Sequence, residues 1–538
     1  MPKADIVLRG GRVWCGKAEG AVDAVALWSG RVLATGSAGE IAPLIGDTTR
    51  VIELDGRMAT PGLNDAHLHL LPLGLAMMAV DVRANTAPTL EALKDAIAAR
   101  AAVTPKGEWI FARGYDNTRF QSRLHPTVDD LDAVAPDHPV YLMRTCGHLT
   151  VVNTAAMTLA GLTPETPVPP GGVIEQRDGR LTGLLAENGR DPVKAVLPEA
   201  TDEMLVDAIE RAGRYCLSFG VTSVMDAAVG MYYGMREMAA YRTAKRMARL
   251  PVRTYQCLNG GPAGIADQAA AEGMVTGDGD DMLRTGPVKI FTDGSAGGKT
   301  AAMTRSYLGG EESFGVLCYT DAECHDLIER YHGFGYQMAI HAIGDAAIEQ
   351  VVTGYEKAMG NAPDIARRHR IEHCGFLTRD HLDRMKRLGI IPAPQPSFLY
   401  EMGDGYFDLF EPERRDACYP LRLWIEEGMT PSASTDSPVT DVNSLNNLYT
   451  MMTRKTRTGA VIGADQAVSL EQALHAYTWA SAFGEHAETR KGRLAPGQLA
   501  DIAVFSHDLT ELEPEALLSE VACDMAIRGG EIVYERAA

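Results

Sequence analysis

At 538 residues the chain is too long for one small core, so two or more domains are expected. Its 46% hydrophobic and 23% charged residues are the make-up of a soluble globular protein. A formal net charge of −20 with no basic run excludes the phosphate-binding surface that nucleic acids need, and solubility is the simplest role of the acidity.

The opening "MPKADIVLRGGRVW" lacks the apolar core of a signal peptide. No segment approaches the run of about 18 apolar residues that spans a membrane. Nine dispersed cysteines (Cys15, Cys146, Cys216, Cys257, Cys318, Cys324, Cys374, Cys418, Cys523) form no C-x-x-C pair, which fits reduced thiols in a cytoplasm. The two ends resemble each other. "DIVLRGGRVW" (5–14) and "MAIRGGEIVY" (525–534) both read as strand, Gly-Gly turn, strand, and "AVALWSGRVLATG" (24–36) and "ADIAVFS" (500–506) add more. Residues 1–57 and 488–538 are therefore expected to form one small β-sandwich domain, with the rest inserted into it.

In between, eight strand-like runs alternate with mostly helical stretches, for example 345–360 and 378–389. The runs lie near 58–67, 220–227, 251–258, 286–294, 336–344, 370–375, 390–396 and 430–438. Eight strand–helix units predict a (β/α)8 TIM barrel over 58–487. About 150 residues separate the first two strands, too many for a loop, so 75–215 is expected to be a cap insertion after the first strand.

Active residues of such barrels sit at the C-terminal strand ends. In "PGLNDAHLHLLP" (61–72), His67 and His69 are two apart and so share one face of a strand, a pairing that suits a metal ion. The other ends offer Lys289, His341, His373 and Asp436. Singly, each has a structural reading: a core histidine, a snorkelling lysine, a helix-capping aspartate. Six at matching strand ends point to a metal centre.

"PGLNDAHLH", "VKIFTDGSAGGKTAA", "AIHAIGDAAI", "RIEHC" and "STDSP", with the cap segments "ARGYDNTRF" and "GHLTVVNTAAM", resemble the amidohydrolase superfamily, specifically its YtcJ-like branch, over nearly the whole chain. The resemblance implies a metal-dependent hydrolase with two divalent cations, zinc being favoured by the mixed imidazole and carboxylate ligands. It makes His67 and His69 ligands of the more buried ion and His341 and His373 ligands of the more exposed one. Lys289 becomes the bridge, modified by CO₂, because an ammonium has only donors whereas a carbamate offers two anionic oxygens. Asp436 would bind the buried ion and take the proton of the water, leaving a metal-bound hydroxide to attack.

The resemblance also suggests that His148 faces the site and stabilises charge on the carbonyl oxygen, and that Tyr115, where the branch usually carries Trp, lines the pocket. Tyr115 and Asp116 are weaker candidates than His148, and Asp293 is read as an Asx-turn residue. No Arg cluster selects a phosphate or dicarboxylate. The expected reaction is cleavage of the C–N bond of a small N-substituted amide, as in the branch's N-substituted formamide deformylases. Cyclic amides, esters and lactones are alternatives. A mononuclear deaminase ranks lower, because such enzymes place a glutamate three residues after the fifth-strand histidine, where this chain has Gly344. A non-catalytic metal-binding protein ranks lower too, because Asp436 is retained. A small-molecule substrate, no nucleic acid, no membrane and a homodimer complete the expectation.

Overall fold

The structure, a computed structural model, describes residues 2–83, 86–144, 149–169, 172–310 and 312–537. The chain divides into two compact units, Met1–Leu71 with Ile209–Ala538, and Pro72–Ala208.

In the first unit seven parallel strands follow one another: Leu63–Leu68, Val221–Val229, Arg253–Asn259, Leu283–Phe291, Met338–Ala342, Arg370–His373 and Ile391–Ala393. They are buried almost throughout because both faces are covered; Val221–Val229 is buried at every position. Helices return the chain between several of them. Thr378 caps Arg379–Leu388 by accepting from His381 N–H (3.2 Å), and Gly389 stops that helix in the left-handed region (φ 65°).

The eighth strand expected over 430–438 is not a regular one. Ser432 N–H donates to Pro392 O (3.3 Å), Ala66 N–H to Ala433 O (3.2 Å), Asp436 N–H to His67 O (2.7 Å) and His69 N–H to Ser437 O (2.7 Å). The segment thus bridges the seventh strand and the first, and nearly closes the ring. A ladder cannot form because Pro431 and Pro438 have no N–H and the Thr435 N–H is taken by the Asp65 carboxylate (3.1 Å).

The strands of both chain ends join in one eight-stranded sheet. Two details differ from the sequence reading. Met58–Pro61, assigned there to the barrel, pairs with Ile502–Phe505 in this sheet, and the barrel strand starts only at Leu63. Gly62 N–H bonds to Asp501 O and Leu63 N–H to Gly220 O, so the chain changes sheets at that point. The first Arg-Gly-Gly is no turn: Ile6–Gly16 is one strand with an irregularity between Arg9 and Val13, and a side chain on Gly11 would lie 2.3 Å from Arg57 O. The matching Gly529-Gly530 is a true hairpin turn, both residues having positive φ (57° and 77°). Buried residues from both ends, among them Leu8, Val25, Ile502 and Ile527, share one core.

Ile502–Phe505 lies between Met58–Pro61 and Cys523–Arg528, and Asp501 holds the buried Arg253 guanidinium at 2.6 and 2.8 Å. Deleting residues 499–538 therefore bares a sheet edge and strands a buried charge, which costs about 3–5 kcal/mol. The truncated protein is expected to aggregate in size-exclusion chromatography. A soluble, active truncation would contradict this.

The second unit is a six-stranded sheet in the order Gly172–Arg177, Arg180–Glu187, Leu149–Val152, Val140–Arg144, Ile110–Tyr115 and Val80–Asp81. One apolar cluster includes Leu93 and Ile97 of the helix Leu90–Ala101, and a second includes Met157 and Leu185. No helix among the described residues is long and apolar enough to cross a membrane.

Candidate metal centre

Strand register decides which side chains share a level. Asn259 pairs with Lys289, Phe291 with His341, and Ala342 with His373. The side chains of four strand ends and of the closing segment converge. Asp436 Oδ1 lies 3.0 Å from His69 Nε2 and 3.4 Å from His67 Nε2. Lys289 Nζ is 3.2 Å from His67 Nε2 and 4.7 Å from the Phe291 ring centre. The His373 ring stands 5.0 Å from that of His67 and 4.3 Å from that of His341. All six predicted residues therefore meet at one place. Within it, His67, His69 and Asp436 have ligand atoms within 4.8 Å of one another, a ready set for one ion.

Hydrogen bonds from behind set the ring nitrogens. His67 Nδ1 contacts the buried Glu372 carboxylate, which only accepts, so Nε2 keeps its lone pair. His341 Nε2 faces two acceptors, Gly294 O (3.0 Å) and Asp293 Oδ1 (3.1 Å), which leaves Nδ1 free. His373 Nδ1 lies 2.5 Å from Gln395 Oε1, which leaves Nε2 free. Burial and the nearby Lys289 lower the pKa of His67, and burial and His341 place that of His373 well below the usual value, so both rings favour the neutral form. Asp436 Oδ1 is buried and flanked by the His69 and His67 Nε2 atoms. Two ring nitrogens facing one carboxylate oxygen are an arrangement that a cation between them satisfies. The donor set fits a metal.

The backing residues are what the sequence reading missed. Glu372 sits beside His373, and Arg370 grips it with two hydrogen bonds (2.7 and 3.0 Å) while also donating to Ala66 O (2.8 Å). Burial alone would raise the Glu372 carboxyl; the guanidinium and His67 hold it well below the carboxylate range. The signal was present in "RIEH": two opposite charges at i and i+2 within a buried strand share one face. Asp293 does more than turn its own loop. It accepts from the N–H groups of Ala302 (3.0 Å), Ile343 (3.0 Å) and Gly344 (2.8 Å), which ties the fourth-strand loop to the fifth. His373 (φ 68°) and Asp436 (φ 58°) both adopt left-handed backbone, a strain of roughly 1–3 kcal/mol each that the surrounding bonds sustain.

Replacing Glu372 with Gln removes the anionic partner of His67 and the counter-charge of Arg370. Glu372→Gln is expected to weaken metal retention about 10–100-fold, read by chelator competition on protein shown to be folded by circular dichroism. Unchanged retention would reduce Glu372 to a packing role.

Three further candidates belong to the segment 72–208. His148 lies outside the described residues. Tyr115 is buried in the core of the Pro72–Ala208 unit, stacked on Phe120, with its hydroxyl 2.9 Å from His125 Nδ1. Asp116 in the same unit accepts from Thr118 N–H and pairs with Arg144 (3.2 Å).

A model of the amidohydrolase family matches residues 50–534. The chain is 28% identical over 522 residues to a Bacillus subtilis protein named as the amidohydrolase YtcJ, with 96% of each chain covered. It is 27% identical over 498 residues to the N-substituted formamide deformylase of Arthrobacter pascens, with 90% of each covered. Among solved structures, an uncharacterized metal-dependent hydrolase of Pyrococcus horikoshii matches with a TM-score of 0.78 at 26% identity, over 95% of this chain and 99% of that one.

Proposed function

The chain belongs to the amidohydrolase family and is a metal-dependent hydrolase, and from that premise we propose that it cleaves the C–N bond of a small N-substituted amide, using two divalent ions, zinc by preference, bridged by a carbamylated Lys289. The observation that carries this reading is the convergence of the His67 and His69 Nε2 atoms on the buried Asp436 Oδ1 (3.4 and 3.0 Å), with Lys289 Nζ 3.2 Å from His67 Nε2. His67, His69 and Asp436 would hold one ion, His341 and His373 the other.

When bound, the metals supply Lewis acidity, which lowers the pKa of a water and polarises the substrate carbonyl. The rest falls to this chain's residues. Asp436 takes the water's proton and returns it to the leaving nitrogen, so that the amine departs neutral. Glu372 and Gln395 keep His67 and His373 in their ligand tautomers. Lys289 is fully buried, and burial lowers its pKa against the pull of Glu372 and Asp436. That favours the neutral amine, whose lone pair forms the N–C bond to CO₂ with loss of one proton.

The deaminase alternative is disfavoured by Gly344: a side chain there would lie 1.8 Å from Ala302 O. The neighbouring Asp345 is engaged by Thr304 N–H (2.8 Å). The test is a panel of N-formyl and N-acetyl arylamines, matched esters, lactones and an aminopurine, assayed with Zn²⁺ and after chelation. Zinc-dependent amine release from the amides is expected. Turnover of esters or lactones alone would move the function to the alternative hydrolase reading, and ammonia release from the aminopurine would restore the deaminase.

A further inference from the structure

The chemistry behind the histidines is uneven. Glu372, behind His67, is a carboxylate. The carboxylate behind His341, Asp293, shares its charge with three backbone N–H groups. His373 is backed by a neutral amide, Gln395 Oε1, at 2.5 Å. That amide cannot turn over. Its Nε2 donates to Ala393 O (3.0 Å) and Ser434 Oγ (3.0 Å), and Ser434 Oγ in turn donates to Pro394 O (2.9 Å). Gln395 is itself fully buried, and the His373 ring is held from another side by Phe398, stacked at 5.6 Å.

A carboxylate behind an imidazole raises its basicity as a ligand; an amide orients the ring without that gain. The His67 side also has Asp436 as a direct anionic ligand, which the His341–His373 pair lacks. Resting on the two-metal reading above, we propose that Gln395 is a positioning residue that makes the His341–His373 side the weaker and more exchangeable of the two metal positions. The same weak donation leaves an ion there a stronger electrophile towards a substrate carbonyl. The role belongs to this side chain and not to the strand, because Ser434 and Ala393 dictate which end of the amide His373 meets.

The experiment counts zinc by mass spectrometry after dialysis of the holoenzyme against graded dipicolinate. The wild-type protein should lose its two equivalents in two steps at least about tenfold apart. Gln395→Glu, which keeps the acceptor and adds charge, should move the looser step about tenfold towards higher chelator. Gln395→Leu, which removes the acceptor, should move that step at least about tenfold the other way and leave the tighter one in place. Two equivalents with both steps unmoved in both variants, or movement of the tighter step alone, would overturn the role of Gln395 while leaving the two-metal reading intact. A single equivalent in the wild-type protein would end both. Thermal unfolding checks the fold of each variant, and if the leucine variant does not fold, the direction of the glutamate shift decides.

Discussion

Lys289→Ala is expected to purify with little metal and to lose turnover by roughly a thousandfold, about 4 kcal/mol of barrier. Lys289 is fully buried at the end of the fourth strand, 3.2 Å from His67 Nε2. Two divalent ions at the separation of about 3.5–4 Å usual for paired metal sites repel each other, and an ammonium beside them would add to that repulsion. On the proposed reading, carbamylation would replace the positive group with an anion offering two oxygen ligands. Truncation to alanine would then remove the proposed bridge and leave a space the size of a small carboxylate. Formate, acetate or propionate at high concentration should restore part of both metal content and turnover. Lys289→Glu should recover less, because its shorter stem places the oxygens nearer the strand. A fully active alanine variant, or two equivalents of tightly held metal without added carboxylate, would show that Lys289 does not bridge.

Asp436→Asn should keep the fold and most of the metal, yet lose turnover by roughly 10²–10⁴-fold, the usual contribution of a positioned proton acceptor. The substitution is clean for a backbone reason. Asp436 has φ 58°, and asparagine is the other non-glycine residue that tolerates this region well. Its N–H bond to His67 O (2.7 Å), part of what closes the ring, is untouched. The amide oxygen can still approach a cation between His67 and His69, but an amide accepts no proton near neutral pH. Metal analysis beside steady-state kinetics separates the two roles. Turnover near that of the wild-type enzyme would remove Asp436 from proton transfer, and loss of metal together with activity would make it chiefly a ligand.

The sequence alone determined the order of the β-rich segments and the residues at their ends. Those depend on local pattern: apolar runs bounded by turn residues, histidines two apart on a strand, capping threonines and glycines at helix ends. It also determined that strands from both termini share one sheet. What it left open was decided by contacts across the fold. "RGG" occurs twice with the same local propensity. One copy is a turn, and the other stays within a strand because Arg57 closes over Gly11. The run "TPSASTDSP" reads as a strand, but only the Asp65 carboxylate and two flanking strands decide that it closes the barrel without a ladder. Glu372 and Gln395 were not legible in the sequence as partners of His67 and His373. Glu372 and His67 lie 305 positions apart, and a hydrogen bond follows distance in space, which strand register sets and sequence spacing does not. Which nitrogen of each imidazole is left free for a metal is therefore a property of the tertiary structure, whereas the presence of those imidazoles at the strand ends is a property of the sequence.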